Sequence, residues 1–524
     1  MSGAARDLAR AGLVVTGALF ISRILGWVRV VVIAASLGIS RELDIYTAAF
    51  RLPDLLFQLV AAGALASAVI PTISALMTAG ERGRAWRVVS TIANLLLVLL
   101  ALLAAAAFVA APSLAPLIAP GFDAADTTRL VELTRILLLS PIFLALSAVA
   151  TSVLNSSGRF AASVLAPIAY NLVIIVAALV LVPSFGLPGL AWGTVIAAAA
   201  TVLVQVGPVF RQARFVYTPR IDLGDAEARR TLILLGPRAV GLAGSQMVLL
   251  VLTNLGSTLA PGAIGAFGLA FVIFQIPLGT IAYPLGIVAL PTLSQRVAAG
   301  AVDEYVDLVT RALRLLGFVM LPVACIAAGV ALPVVDLVVN FGRVEEAGVI
   351  LTSEAFVGLL AALPTEAMVI VLSRAFFAAR NTWIPVAAAL TSVGVAVGAA
   401  LALVSPLGIL GLALGLVAAS WVEASILLVA FRRRHAGFGL LRLGRAHLWY
   451  FAAAVAAGLV TDRAYDLAAT RLPADPGILL AALALAAAGA VGLAVYVALA
   501  ALLRVPELGA AVALLRTGLR RRAA

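Results

Sequence analysis

Arg23, Arg29, Asp44 and Arg51 stand in or beside long apolar runs in the stretch "ISRILGWVRVVVIAASLGISRELDIYTAAFRLPDLL" (residues 21–56). A guanidinium carries five N–H donors in a planar fork and keeps its charge, so a group of arginines suits phosphate or carboxylate binding. An arginine at mid-bilayer costs about 2.5–3.5 kcal/mol on the lenient insertion scale. Ionisable groups at such depth face a protein interior or a wet cavity and find counter-charges, or lie near helix ends and snorkel to the interface. Arg29 lies deep in its apolar run. Asp44 and Arg51 are seven residues apart, two helical turns, and are expected to share one face. Asp44 also has an ordinary reading, as an acid at a helix start. For Arg238 in "LLGPRAVG", near an expected cytoplasmic end, snorkelling is the better reading.

The elements that must position these groups are membrane helices. The chain is 64% hydrophobic and 11% charged over 524 residues, against roughly 45–50% and about 25% for a soluble domain. Continuously apolar segments exclude a transmembrane β-barrel, whose strands alternate. Apolar runs between polar breaks predict about fourteen spans: 12–37, 45–78, 86–110, 128–154, 161–182, 188–210, 231–258, 263–295, 310–331, 350–378, 384–404, 408–430, 447–462 and 477–503. The N-terminal run, preceded by Arg6 and Arg10, is read as the first span and not as a removed signal peptide.

All 36 basic residues are arginine. By position, 26 of them fall in the N-terminus, alternate loops and adjoining helix ends, and the C-terminal tail. The opposite loops carry acids, among them Asp123, Asp126, Glu345, Glu346, Asp462 and Asp466. The positive-inside rule then places both termini in the cytoplasm. The net charge of +12 follows from this topology and from contact with anionic lipid, not from nucleic acid.

Three matches share one period. "FGLPGLAWG" (185–193) resembles "LGILGLALG" (407–415) at an offset of 222, "IPTIS" (70–74) resembles "LPTLS" (290–294) at 220, and Pro112 and Pro333 are 221 apart. Six helices fill the period, so the halves share one orientation, as in parallel-repeat transporters. The expected organisation is a six-helix lobe over 1–215, a second over 216–435, and two further helices with a basic tail over 436–524, with a substrate cavity between the lobes.

Several chemistries are absent. Without lysine there is no Walker A motif, and no HExxH or Cys/His cluster presents a metal site. Cys325 is alone and the only histidines, His435 and His447, adjoin one polar loop. No catalytic constellation is evident within the spans, so no enzyme activity and no cofactor are expected. Any driving force comes from an ion gradient (Na+ or H+, unassigned), the membrane potential or a partner. Thr253, Asn254, Thr391 and Glu423 are polar groups in later spans that helix–helix hydrogen bonds could satisfy.

"SRILGWVR", "DIYTAAFRLPDLL" and "AAGALASAVIPTISAL" resemble the opening of the MurJ/MviN family of bacterial lipid II flippases, which reads SR-x-LG-x-x-R, then D-x-(F/Y)-x-x-AFR-(I/L)-P-N. The likeness continues through "APGF" (119–122), "LNSSGRFAASVLAPIAYN" (residues 155–171 and flank), "GLAWG" (189–193), "LGPRAVGLAGSQ" (235–246), "IPLGTIAYPLGIVALPTLSQ" (276–295) and "SRAFFAARNTWIP" (373–385). The resemblance implies the fourteen-helix multidrug/oligosaccharidyl-lipid/polysaccharide exporter fold in the bacterial plasma membrane. It implies alternating access for an undecaprenyl-pyrophosphate-linked peptidoglycan precursor, with Arg23, Arg29, Asp44 and Arg51 at cavity positions and the last two helices flanking the lipid tail. Cell-wall synthesis proteins are conceivable partners.

The sequence departs from the family pattern at Val30, Ala62, Val272 and Gln275, where charged residues are expected. Arg238 and Gln275 are the residues that would compensate. The alternatives are a divergent flippase for another polyprenyl-linked oligosaccharide, an ion-coupled exporter of the same superfamily, and a non-transporting scaffold for envelope assembly.

Overall fold

The structure, a computed structural model, describes residues 3–60, 64–473 and 476–509. Ala62 lies outside the described residues, as does the side chain of Arg238. Every regular element among the described residues is a helix. In chain order these are α1 (Gly3–Leu37), α2 (Arg41–Ala49), α3 (Arg51–Val60), α4 (Ala64–Thr78), α5 (Arg82–Ile118), α6 (Ala124–Leu137), α7 (Ser140–Ser156), α8 (Phe160–Arg211), α9 (Ala226–Ser257) and α10 (Ala263–Pro277). A π-turn over Leu278–Ala282 leads to α11 (Tyr283–Ala298), α12 (Val302–Gly329), α13 (Ala331–Val339), α14 (Glu346–Leu360), α15 (Leu363–Ala378), α16 (Trp383–Arg434), α17 (Leu440–Ala469) and α18 (Gly477–Leu502).

Nine helical stretches among the described residues are long and apolar enough to cross a bilayer, or ten if α14 and α15, bent by 47°, count as one span. Large apolar side chains such as Leu102, Val109, Leu203 and Leu479 are exposed along them, as lipid-facing helices require. This is a polytopic membrane protein.

The repeated glycine motif marks two helical hairpins. α8 and α16 are each 52 residues long, about 78 Å if straight and far beyond a bilayer core. Each turns instead at a glycine outside helical space, Gly186 (φ 59°, ψ −145°) and Gly408 (φ 56°, ψ −132°). Positive φ strains a side-chain-bearing residue, so the sequence places glycine at both turns. Beyond each turn the helix folds back closely. A methyl on Gly189 would meet the Leu181 carbonyl and one on Gly411 the Leu403 carbonyl, while Gly193 packs on Ala177 and Gly415 on Ala400. The turn and the two contact positions recur at the spacing read from the sequence.

Within the expected span 45–78 the helix is interrupted at Phe50, between α2 and α3. Ser40 caps α2, its Oγ accepting from the Glu42 amide. The helix ends at Phe50, and Pro53, lacking an N–H, restarts the chain in α3. The short thirteenth span is the 30-residue α17, because helix continues through Arg442, Arg445 and Asp466, which hydropathy does not count.

By packing, the chain divides into two compact units: residues 1–265 with 341–345, and residues 266–340 with 346–524. The first is built on Trp86, Val89, Ile92 and Leu96 of α5 against Val69, Ile73, Val149 and Ala228. Residues 341–345 join it through the Arg343 amide, which donates to the Ala35 carbonyl at 2.8 Å, and through Arg343 and Glu42 at 3.7 Å. The second unit centres a cluster on Phe318, Tyr450, Ala454 and Tyr496, with the Tyr496 hydroxyl donating to the Phe318 carbonyl at 2.8 Å.

Candidate functional site

In the first unit, two of the sequence motifs lock together. The Asn171 side chain donates to the Ser22 carbonyl at 3.2 Å, and Gly26 leaves room for the same asparagine. This fixes α1 on α8 and brings Arg29 over the ring of Tyr170, 5.5 Å from its centroid. A cation over an aromatic face is held electrostatically without hydrogen bonds, so the guanidinium keeps its donors for a ligand.

Arg51 opens α3. Its Nε donates to Thr253 Oγ1 of α9 at 2.6 Å, while the Thr253 hydroxyl donates to the Leu249 carbonyl at 2.8 Å. The threonine is almost fully buried, at 1% exposure. It is therefore an acceptor of fixed direction that orients the guanidinium and leaves the Nη fork presented. Asp54, one turn further along α3, lies in the electrostatic field of Arg51 and Arg29. Tyr46 of α2 closes the group: its hydroxyl pairs with Thr194 Oγ1 at 2.9 Å, which itself donates to the Leu190 carbonyl at 3.0 Å. Four elements thus converge Arg29, Tyr46, Arg51, Asp54 and Tyr170. Two guanidiniums from two helices, with one carboxylate beside them, can take a phosphorylated or carboxylated head group.

The other expected site residues are placed differently. Arg23 is exposed on α1, about 120° around the helix from Arg29. Asp44 and Arg51 lie on either side of a one-residue helix interruption at Phe50, and their side chains meet different partners. The fully buried Asp44 carboxylate accepts from the amides of Gly262 at 2.7 Å and Gly265 at 2.9 Å, capping the start of α10. Arg41 flanks it, 3.8 Å from Asp44, 3.4 Å from Asp126 and over the Phe122 ring. Arg238 lies on α9, and Gln275 and Val272 lie on α10 in the second unit.

Of the polar groups in later spans, Thr253 holds Arg51 and Asn254 donates to the Leu117 carbonyl at 2.7 Å. Thr391 bonds back to its own helix, at Ala387. Glu423 accepts from Ser392 at 2.8 Å, and Glu366, which the sequence reading did not single out, lies near it. Among the described residues no three His, Cys, Asp or Glu side chains form a group able to hold a metal ion.

Sequence reasoning also missed Asp54, Tyr46 and Tyr170. A tyrosine in an apolar run has no periodic signature, and a first-turn aspartate reads as helix-dipole chemistry.

The sequence profile described as "Lipid II flippase MurJ" matches residues 33–466. The chain belongs to the MurJ lipid II flippase family. Among MurJ relatives, it is 30% identical over 496 residues to a "Probable lipid II flippase MurJ" of Rhizobium meliloti (strain 1021), covering 93% of this chain and 92% of that one. It is 26% identical over 464 residues to the "Lipid II flippase MurJ" of Burkholderia cenocepacia, covering 87% and 89%. In fold it is similar to "Lipid II flippase MurJ, inward closed conformation", with TM-score 0.76, 21% identity and coverage of 94% and 98%. It is also similar to an inward-facing multidrug resistance MATE family transporter of the MOP superfamily, with TM-score 0.66, 18% identity and coverage of 81% and 98%. The MurJ family is a family of lipid flippases, and the MATE likeness extends the fold to the wider superfamily.

Proposed function

We propose that this protein moves lipid II from the cytoplasmic to the outer leaflet of the bacterial plasma membrane by alternating access, with the head group received at Arg29 and Arg51. The observation that carries this reading is the Arg51–Thr253 hydrogen bond of 2.6 Å. It occupies Nε and leaves four Nη–H donors, the arrangement that grips a diphosphate bidentately. Arg29, backed by Tyr170, supplies a second fork from another helix. The substrate on this reading is an undecaprenyl-pyrophosphate-linked glycopeptide, and the surrounding bilayer is the other partner.

The arginine distribution supports an orientation with both termini in the cytoplasm. The repeated hairpins at Gly186 and Gly408 support lobes over 1–215 and 216–435, with 436–524 as an appended pair of helices and tail. Residues 216–265 pack with the first unit, so the repeat boundary and the packing boundary differ. The driving force on this reading is an ion gradient or the membrane potential acting on charge carried across.

Val272 and Gln275, at positions where the resemblance to the family pattern implies charge, favour a second reading: a flippase for another polyprenyl-linked oligosaccharide. Expression of Arg51→Ala in a flippase-depleted strain tests the first. Loss of growth despite wild-type membrane levels is the expected result, and normal growth would defeat it. Rescue by wild type of a polyprenyl-glycan defect other than peptidoglycan would favour the second.

A further inference from the structure

The acids at helix N-termini in the first unit differ in what their carboxylates do. Asp44 accepts from the amides of Gly262 and Gly265. Asp123 accepts from the Asp126 amide at 2.8 Å. Asp225 accepts from Glu227 at 2.8 Å and Ala228 at 3.3 Å, and it pairs with Arg84 at 2.7 Å. Each of these has a structural occupation. Asp54 also sits in a first helical turn, yet among the described residues its carboxylate accepts no hydrogen bond and closes no ion pair. It is partly exposed. It follows Arg51 by one helical turn on the same helix, and it is within electrostatic reach of Arg29, Tyr46 and Tyr170, the other groups of the candidate site.

A carboxylate held among arginines without touching them is not a counter-ion in place, because direct pairing would give charge-assisted hydrogen bonds of well-defined length. Arg51 is instead turned to Thr253 and Arg29 to Tyr170, which leaves the acceptor oxygens of Asp54 unfilled. An arginine-only site complements an anion. Two arginines with an unfilled carboxylate one helical turn away complement a zwitterion, and a purely anionic head would bring like charge against Asp54.

We infer that Asp54 is a specificity-determining residue that receives a cationic amine of the substrate head group beside the arginines that take its diphosphate. The ligand class is a polyprenyl diphosphate glycopeptide bearing a free amino group. This rests on the lipid-linked substrate proposed above and adds to it a preference for one form of the head.

The test uses the full-length protein in nanodiscs and two synthetic polyprenyl diphosphate glycopeptides, identical except that the peptide amine is free in one and acetylated in the other. Wild type is expected to bind the free-amine probe about tenfold more tightly, the increment of one charge-assisted contact. Asp54→Asn is expected to bring the two affinities within about threefold of each other, and Asp54→Glu to restore the preference, while Arg29→Ala weakens both probes. Equal binding of the two probes by wild type, an undiminished preference in Asp54→Asn, or a uniform tightening of both probes in that variant would overturn the inference alone. Binding of neither probe by wild type would overturn the lipid-linked substrate and the inference with it.

Discussion

Replacing Asp44 with alanine separates a capping role from a substrate-binding role. The carboxylate is fully buried and accepts two backbone amides, from Gly262 at 2.7 Å and Gly265 at 2.9 Å. A hydrogen bond to a charged acceptor contributes about 1.5–3 kcal/mol, so losing both costs about 3–6 kcal/mol locally and leaves two buried amides without a partner. Asp44→Asn keeps one acceptor oxygen but turns an NH2 toward the other amide, and should lose about half as much. The effect is local to the start of α10 and is read by hydrogen exchange of a peptide spanning 260–268. Since each 1.4 kcal/mol is tenfold, protection at Gly262 and Gly265 should fall by roughly 10²–10⁴ in Asp44→Ala. Exchange within threefold of wild type, together with lost substrate binding, would refute the cap and return Asp44 to the substrate site.

Other perturbations test the remaining structural statements. Tyr170→Leu removes the ring beneath Arg29 and should weaken head-group binding by roughly 2- to 30-fold, whereas Tyr170→Phe keeps the π face and should bind like wild type. Gly193→Ala drives a methyl into Ala177 and should lower the thermal unfolding midpoint through about 1–3 kcal/mol of overpacking; Gly207→Ala, with open space around it, should not. The Arg84 guanidinium holds the Asp225 carboxyl below its usual range, with the Glu227 and Ala228 amides assisting and burial opposing. Its stabilisation is therefore present above the unfolded value of about 4 and is lost as pH falls through the lower folded one. Asp225→Ala should cost about 1 kcal/mol at pH 7, mostly the cap of α9, and the difference from wild type in unfolding midpoint should shrink in acid.

What the sequence reveals follows from what is costly. Positive φ is costly for any residue but glycine, so the turns at Gly186 and Gly408 stand out as a motif repeated along the chain. Charge in an apolar span is costly too, so Arg29 and Arg51 are conspicuous. Asp44 is equally conspicuous, but whether a buried carboxylate meets backbone amides or a ligand depends on where α10 begins, 218 residues away. Tyr170 and Thr253 acquire their roles only from partners on α1 and α3, and nothing in their local sequence announces them. The break at Phe50 is foreshadowed by Pro53, yet hydropathy alone carries the span across it.

The measurement that tests the central claim most directly is the accessibility of lipid II at the outer surface of cells depleted of this protein. Accessibility should collapse on depletion, recover with the wild-type chain, and stay low with Arg29→Ala or Arg51→Ala at equal membrane abundance. Undiminished accessibility on depletion, or full recovery with either substituted chain, would contradict a flippase that holds its substrate through these two arginines.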